Sequence, residues 1–331
     1  MAEFDKDTTS AQVVAKFASQ VKGKVFVITG TGQPSIGGSI ATELAKASPA
    51  HIIIASRTRA NVDPVLNAIC DVNPSVLATY VQLDLSDHDS VRRGARLTLA
   101  ATGGKIDVLI NSAGNMALRE YTVDKQGIEM QMSVNHVGHF LLTNLLAPAL
   151  LRAGAEGPYA ARVVSITSAG YQISPVLYSD PAFSGGKTYD PWTAYGQAKT
   201  AQILFTYGLA DRLQSRGHVK AFACHPGSNL DTKLGSHLAV EDYEGVPVIT
   251  KRNTGKEFLF TIGDEPRFKT YGQIAATPLI AALDPDLAER SPAYLQNNKI
   301  VQPAVDHAYS AADVERCWKL SEELVGQWFE Y

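Results

Sequence analysis

The sequence predicts an α/β protein in which a doubly wound parallel sheet carries helices on both faces, giving three layers in a single domain. Two observations support this prediction. Short, nearly all-apolar segments alternate with segments of helical periodicity from residue 24 onward, and such apolar segments are typical of strands buried on both faces. A glycine-rich turn follows the first of these strands, as expected where a strand leads directly into a helix.

The expected strands and helices follow one another in a regular order. Six strands are expected, at residues 24–29, 51–55, 79–84, 106–111, 162–167 and 219–224. Helices are expected around residues 40–45 and at 61–70, 90–99, 127–151, 194–216 and 311–329. Two long irregular segments, 172–191 and 229–270, break this order, and segments of such length inside a compact domain are usually functional.

Composition and charge exclude several classes of protein. Length alone would suggest about two domains, but no linker, repeat or low-complexity stretch divides the 331 residues, so we expect one domain over residues 1–331. The net charge of −3 offers no basic footprint for nucleic acid. The longest apolar stretch, 140–151, is too short to span a membrane. The three cysteines show no metal or disulfide spacing, and the first residues do not resemble a leader, so we expect a cytoplasmic protein.

The turn after the first strand has the composition of a phosphate-binding loop. Glycines there let the backbone turn tightly and approach a pyrophosphate, which would sit at the N-terminus of the next helix. An ordinary glycine-rich turn is the alternative interpretation. The candidate cofactor-binding residues in this turn are Gly30, Thr31, Ser35, Ile36 and Gly37.

The end of the second strand predicts which dinucleotide is used. Proteins that bind NAD usually place an acidic residue near this point to bind the ribose hydroxyls, whereas an arginine accommodates the 2′-phosphate of NADP. Here the strand ends in Ser56-Arg57, and no acidic residue follows until Asp63. We therefore expect NADP(H), with a solvated surface arginine as the alternative for Arg57.

A tyrosine and a lysine four residues apart form the central pair of candidate catalytic residues. Tyr195 and Lys199 would share one helix face, and an ammonium beside a phenol is expected to lower the pKa of that phenol. Tyr195 is therefore a candidate general acid and base. Tyr121 and Lys125 have the same spacing, but they lack a comparable setting and are interpreted as a surface pair.

Taken together, these motifs resemble the short-chain dehydrogenase/reductase family, with its Rossmann-type fold, and within it the branch of retinol-dehydrogenase-like and WW-domain-oxidoreductase-like proteins. The resemblance covers residues 22–232. Its motifs occur in family order: the turn at 29–37, Asp84-Leu85, Asn111-Ser112-Ala113-Gly114, Asn135 within 134–140, Ser168, Tyr195 with Lys199, and Pro226-Gly227 within 225–227.

The resemblance implies a role for each matching residue. Tyr195 would exchange a proton with the substrate oxygen, Ser168 would hydrogen-bond that oxygen, and Lys199 would hold the nicotinamide ribose. Asn135 would hold a relay water. The remaining matches would contact the cofactor, and they are Asp84, Leu85, Asn111, Ser112, Ala113, Gly114, Pro226, Gly227 and Ser228. The implied assembly is a homodimer or homotetramer.

Ser35 departs from the family pattern. It stands where the family has a glycine, and the turn is one residue longer. The order Ser-Ile-Gly in this turn resembles the loops of some enoyl reductases, so an enoyl-type reductase is one alternative. Those enzymes usually have a wider spacing between their tyrosine and lysine. A non-catalytic NADP-binding regulator is another alternative, although such proteins tend to lose the four catalytic residues that are all present here.

The apolar content of segment 229–270 predicts the substrate class. An apolar segment must bury its side chains, either on the C-terminal helix or as a lid over an apolar pocket. We expect the lid, and with it a lipophilic ketone, aldehyde or secondary alcohol as the substrate. The apolar residues concerned are Leu234, Leu238, Tyr243, Val246, Val248, Phe258, Leu259, Phe260 and Ile262.

Overall fold

The computed structural model describes residues 4–213, 216, 218–229, 231–239, 241–259 and 268–331. Within them, eight strands form one sheet in the order β3-β2-β1-β4-β5-β6-β7-β8, and only the last pair is antiparallel. The strands are β1 (Val25–Thr29), β2 (His51–Ser56), β3 (Leu77–Gln82), β4 (Val108–Asn111), β5 (Ala161–Ile166), β6 (Val219–His225), β7 (Ala293–Gln296) and β8 (Lys299–Val301).

Helices connect the strands and cover the sheet. They are α1 (Ser10–Lys16), α2 (Ala18–Val21), α3 (Ile36–Ala45), α4 (Asp63–Val72), α5 (His88–Ala101), α6 (Met130–Met132), α7 (Gly138–Glu156), α8 (Pro191–Leu213), α9 (Glu241–Glu244), α10 (Val246–Thr254), α11 (Tyr271–Ile274), α12 (Ala276–Leu283) and α13 (Ala311–Val325). A π-helical segment, Ser133–Val137, joins α6 to α7. Among the described helices, none is both long and apolar enough to cross a membrane.

Alternate residues of β1 face two different cores. Val27 packs among apolar residues from α5, α7, α8 and α13, whereas Phe26 and Ile28 pack among residues from α1, α3, α4 and α12. Successive side chains of a strand point to opposite faces of the sheet. One helix layer therefore lies on each side of the sheet, which confirms the predicted three-layer fold.

The six predicted strands are confirmed, with ends that differ by no more than two residues. The sequence interpretation missed β7, β8, α1 and α12. It also placed helix ends wrongly. The helix predicted at 194–216 begins earlier, at Pro191, because proline fits the first turn of a helix. The helix predicted to reach 329 ends at Val325, because Gly326 adopts a left-handed conformation that caps it.

The two segments expected to be irregular differ in how much regular secondary structure they contain. Segment 172–191 contains only short 3₁₀ turns. Segment 229–270 includes the helices α9 and α10, so its description as irregular is wrong for that part. Phe260 and Ile262, which the sequence interpretation placed in the apolar lid, lie outside the described residues.

The end of the chain covers helices α7 and α8. Trp318 on α13 packs edge-on against Phe140 of α7 and is stacked with Phe205 of α8, with ring centroids 4.9 and 5.9 Å apart. Phe329 also packs on Phe140. The C-terminal helix therefore buries its apolar face on this side of the sheet, in the core cluster that contains α5, α7 and α8.

Gly138 tests how closely α7 approaches the loop after β3. A Cβ atom added at Gly138 would lie 2.4 Å from the carbonyl oxygen of Leu85. An alanine normally favours a helix over glycine, but here the overlap should lower the free energy of unfolding by about 2 kcal/mol. We expect this loss for Gly138→Ala in urea denaturation.

Gly272 on α11 provides a matched control, because the nearest atom to an added Cβ there is 3.7 Å away. Gly272→Ala should change the free energy of unfolding by less than about 0.5 kcal/mol. Equal stabilities of Gly138→Ala and the unsubstituted protein would show that the close approach is absent.

Candidate active site

A cavity of about 1060 Å³ opens where the strands β1 to β6 end. In open parallel sheets, ligands bind beyond the carboxyl ends of the strands. Most of the predicted site residues line this cavity: Gly30, Ser35, Ile36, Ser56, Arg57, Asp84, Leu85, Ser112, Ala113, Gly114, Ser168, Tyr195, Lys199, Pro226, Gly227 and Ser228. The other four, Thr31, Gly37, Asn111 and Asn135, are buried and are not part of the lining.

The turn after β1 is shaped for a close approach by a ligand. Gly30 has a φ of 69°, and an added Cβ would lie 2.5 Å from the Cα of Ala113, so this position requires glycine. Ser35 caps the N-terminus of α3, since its hydroxyl oxygen accepts a hydrogen bond from the Gly38 amide at 3.0 Å. The longer turn therefore still delivers the chain to a capped helix N-terminus, where an anion is favoured.

The same turn contains a polar atom without a partner among the described residues. The Thr31 hydroxyl is buried and has no hydrogen bond there, while the Gln33 amide bonds the Asn61 carbonyl at 2.9 Å. Buried polar atoms are usually satisfied in a complete site. A dinucleotide bound along the turn would fit these three features: the close backbone approach at Gly30, the capped N-terminus of α3 and the unsatisfied Thr31 hydroxyl.

The arginines after β2 have different surroundings. Arg59 pairs with Asp63 at 2.6 Å and lies over the Tyr80 ring. Arg57 is exposed, lines the cavity, and forms no ion pair within the described part of the chain. Its guanidinium is therefore available to an anion in the cavity, whereas that of Arg59 is already paired.

The Thr29 hydroxyl links the first turn to the loop after β4 and to α7. It accepts hydrogen bonds from the amides of Ser112 and Ala113 at 2.9 and 3.1 Å. Its own hydrogen is then left for Nε2 of His139 at 2.8 Å. The Nδ1 atom of His139 donates to the Asn135 carbonyl at 3.0 Å, and burial lowers the pKa of His139 to about 4, so the ring is neutral.

Asn135 reaches the cavity through its neighbours. Its side chain accepts from the Asn115 amide at 2.9 Å and donates to the Asn115 carbonyl at 3.1 Å. Gly114 lies between Asn135 and Lys199: a Cβ added there would lie 2.6 Å from the Asn135 Oδ1 and 3.7 Å from the Lys199 Nζ. The absence of a side chain at Gly114 therefore keeps a gap between these two polar atoms.

Tyr195 and Ser168 meet at the centre of the cavity wall. Tyr195 is 3% exposed. Its burial raises its pKa above the ordinary value, and the nearby Tyr243 acts in the same direction, whereas the hydrogen bond with the Ser168 side chain lowers it. The prediction that the pKa of Tyr195 is lowered is therefore wrong, because burial outweighs the other effects.

The Lys199 ammonium lies beside the Tyr195 ring and donates hydrogen bonds to two oxygens. Its Nζ lies 5.6 Å from the centre of the Tyr195 ring. It donates to the Gln202 side-chain oxygen at 2.9 Å and to the Ile166 carbonyl at 3.3 Å. Burial lowers the pKa of Lys199 to about 7, which keeps a readily titrated amine beside Tyr195.

Tyr121 and Lys125 do not form a second site. The Lys125 side chain is largely exposed and pairs with Asp87, and the Tyr121 ring packs edge-on against Tyr189. Neither residue lines the cavity. The interpretation of this motif as a surface pair is confirmed for Lys125, while the Tyr121 ring is half-buried.

The far end of the cavity is apolar and is covered by α9 and α10. Tyr243 and Val246 pack in one cluster with Trp192, Tyr195 and Ile173. Leu238 and Phe258 join this cluster, and Leu234 lines the cavity, while Val248 and Leu259 are exposed. These side chains therefore cover the cavity rather than the C-terminal helix.

Hydrogen bonds fasten this cover to the start of α8. The indole of Trp192 donates to the Asp242 carbonyl at 2.7 Å. The Asn253 amide donates to the Thr193 hydroxyl at 2.9 Å and to the Ile173 carbonyl at 3.1 Å. The covering helices are thus attached one turn before Tyr195 on the same helix.

Sequence reasoning missed several residues that the structure brings into the site. Gln202 lies three residues after the predicted Lys199, so helical spacing from that motif could have identified it. Trp192 and Asn115 gave no comparable signal, because their contacts depend on segments distant in the chain.

Comparisons with known proteins agree with this geometry. A family model described as short chain dehydrogenase matches residues 24–241. The chain is 36% identical over 310 residues to retinol dehydrogenase 12 of Mus musculus, an alignment covering 93% of this chain and 89% of that protein. It is 33% identical over 313 residues to a probable oxidoreductase of Streptomyces antibioticus, covering 92% and 98% of the two chains.

A solved structure shows the same architecture. The crystal structure of an uncharacterized protein from Mycobacterium paratuberculosis superposes with a TM-score of 0.65 at 28% identity, over 94% of this chain and 96% of that one. Both the sequence and the fold thus match over nearly the whole length. The chain therefore belongs to the short-chain dehydrogenase family, and it is a retinol-dehydrogenase-like oxidoreductase within that family.

Proposed function

We propose that the protein is an NADP(H)-dependent reductase or dehydrogenase that interconverts a lipophilic ketone or aldehyde and the corresponding alcohol. The observation that carries this proposal is the meeting of Tyr195, Ser168 and Lys199 in one wall of the cavity beyond the sheet. A phenol, a hydroxyl and an ammonium at one point can exchange a proton with a substrate oxygen and stabilise its developing charge.

The residues of this wall divide the work of proton transfer. In the direction of reduction, the Tyr195 hydroxyl donates its proton to the substrate oxygen, and the Ser168 hydroxyl donates a hydrogen bond to the same oxygen. The Lys199 ammonium stabilises the phenolate that remains. The gap at Gly114 would hold a water between Asn135 and Lys199 that returns the proton. When bound, the nicotinamide supplies the hydride chemistry.

The proposed cofactor contacts follow the cavity lining. The turn after β1 would hold the pyrophosphate, Arg57 the 2′-phosphate, and the loop residues after β4 the ribose. The support for NADP(H) over NAD(H) is the unpaired guanidinium of Arg57, because a phosphate would form a charge-assisted pair with it.

The apolar cover supports a lipophilic substrate. We propose that α9 and α10 form a lid over the substrate end of the cavity, in a single domain spanning residues 1–331. The cytoplasmic location and assembly as a homodimer or homotetramer remain predictions, the second checked by light scattering of the purified protein.

Tyr195→Phe should reduce kcat at least about 100-fold in the reduction of a lipophilic ketone, because it removes the proton donor. Binding of NADPH, followed by fluorescence titration, should stay within about twofold of the unsubstituted protein, since the phenyl ring keeps its packing. Tyr121→Phe is the matched control and should turn over normally. Normal turnover by Tyr195→Phe would remove Tyr195 from the mechanism.

Arg57→Ala should weaken the binding of NADPH at least about tenfold and leave that of NADH nearly unchanged, because only NADPH carries the 2′-phosphate. Titration of both cofactors measures this. Arg96, exposed on α5, provides a control for the loss of one positive charge. Equal weakening of both cofactors would show that Arg57 does not bind the phosphate.

In a series of ketones of increasing apolar size, kcat/KM should rise roughly threefold per buried methylene. Val246→Ala should reduce this dependence, because Val246 is buried against the cavity cluster, whereas Val248→Ala should not, because Val248 is 72% exposed on the same helix. A flat series, or a preference for small charged keto acids, would contradict the lid.

A further inference from the structure

Among the described residues, oxygens on α8 and β5, rather than an acidic residue, accept hydrogen bonds from the Lys199 ammonium. Its Nζ donates to the Gln202 Oε1 at 2.9 Å and to the Ile166 carbonyl at 3.3 Å. Lys199 and Gln202 are three residues apart on α8, so they share a helix face. Among the described residues, Gln202 provides the only side-chain oxygen hydrogen-bonded to this ammonium.

Packing alone does not account for an amide at position 202. Gln202 is 2% exposed, and its Nε2 atom has no hydrogen-bond partner in the described part of the chain. A buried donor without a partner costs free energy that an apolar side chain of the same volume would not. The hydrogen bond between its amide oxygen and Lys199 accounts for a polar side chain at this buried position.

The titratable groups that face Lys199 do not replace this contact. They are His139 on α7, Cys224 on β6 and Tyr195 on α8. His139 is neutral, and burial raises the pKa of Cys224 above its ordinary value, while Cys224 acts to raise the pKa of Lys199. Among the described residues, the oxygens that accept hydrogen bonds from the Lys199 ammonium are those of Gln202 and Ile166.

We propose that Gln202 is a positioning residue for Lys199, whose amide oxygen directs the ammonium beside the Tyr195 ring and keeps it protonated. The catalytic consequence rests on the proposed function, in which a charged Lys199 stabilises the Tyr195 phenolate. The contact itself does not rest on it, because both residues lie on one face of α8 and are hydrogen-bonded to each other. Protonation of Lys199 can therefore be measured separately from turnover.

The test compares two substitutions of similar volume with opposite effects. Gln202→Leu removes the acceptor, so the pKa of Lys199 should fall by about one unit; Gln202→Glu adds a negative charge, so that pKa should rise by about one unit or more. The measurement is an NMR titration of the protein carrying ¹³C-labelled lysine, in which the Lys199 resonance is the one lost in Lys199→Ala.

The pH dependence of kcat/KM should move in the same two directions. As the pH is raised, the activity of Gln202→Leu should fall at a lower pH than that of the unsubstituted enzyme, because Lys199 loses its proton at a lower pH. The activity of Gln202→Glu should fall at a higher pH. A merely structural glutamine would shift both variants alike or neither. Should Gln202→Leu fail to fold, Gln202→Met removes the same oxygen from a more flexible side chain.

Gln197 provides the matched control. It lies on the same helix, is fully buried, and bonds the Leu177 amide and the Pro181 carbonyl rather than Lys199. Gln197→Leu should destabilise the protein without moving the Lys199 titration. Unchanged titration midpoints in both Gln202 variants, or shifts in the same direction, would overturn the inference. Opposite shifts in a protein that reduces no ketone would uphold it and reject the proposed function.

Discussion

Three hydrogen bonds of the Thr29 hydroxyl hold the loops of the candidate site in place. One oxygen atom accepts from two amides of the loop after β4 and donates to His139, and His139 in turn holds the Asn135 carbonyl. Three segments that are far apart in the chain are thereby fixed against one another. Thr29, His139 and Asn135 are buried, where hydrogen bonds are strong and an unmatched polar atom is costly, so the geometry of the network is closely defined.

The position of Lys199 follows from this arrangement. The loop after β4 brings Gly114 between Asn135 and the lysine, and the burial of α8 against the sheet removes the amine from water. A buried ammonium is unstable unless it is hydrogen-bonded, and oxygens on α8 and β5 meet that need. Burial lowers the pKa of Lys199 to about 7, so small changes in its surroundings alter its charge near neutral pH.

Helix α8 couples the two ends of the cavity. Its first turn fastens the covering helices through Trp192 and Thr193, and its second carries Tyr195. The cover is therefore attached to the helix that carries Tyr195. Ser35, which departs from the family turn, caps α3: its hydroxyl oxygen accepts a hydrogen bond from the Gly38 amide in the first turn of that helix.

The amino-acid sequence predicts six of the eight described strands and the residues near their carboxyl ends, because strand periodicity and short motifs are local properties. It could not determine the short strands β7 and β8, whose pairing depends on a distant partner, or the helices α9 and α10 within a segment of weak periodicity. For the site, it predicted Tyr195, Lys199 and Ser168, which the structure brings into one cavity wall, and it predicted a lowered pKa for Tyr195. The raised pKa of Tyr195 and the hydrogen bond between Thr29 and His139 could not be predicted, because burial and contacts between distant segments arise only when the chain has folded.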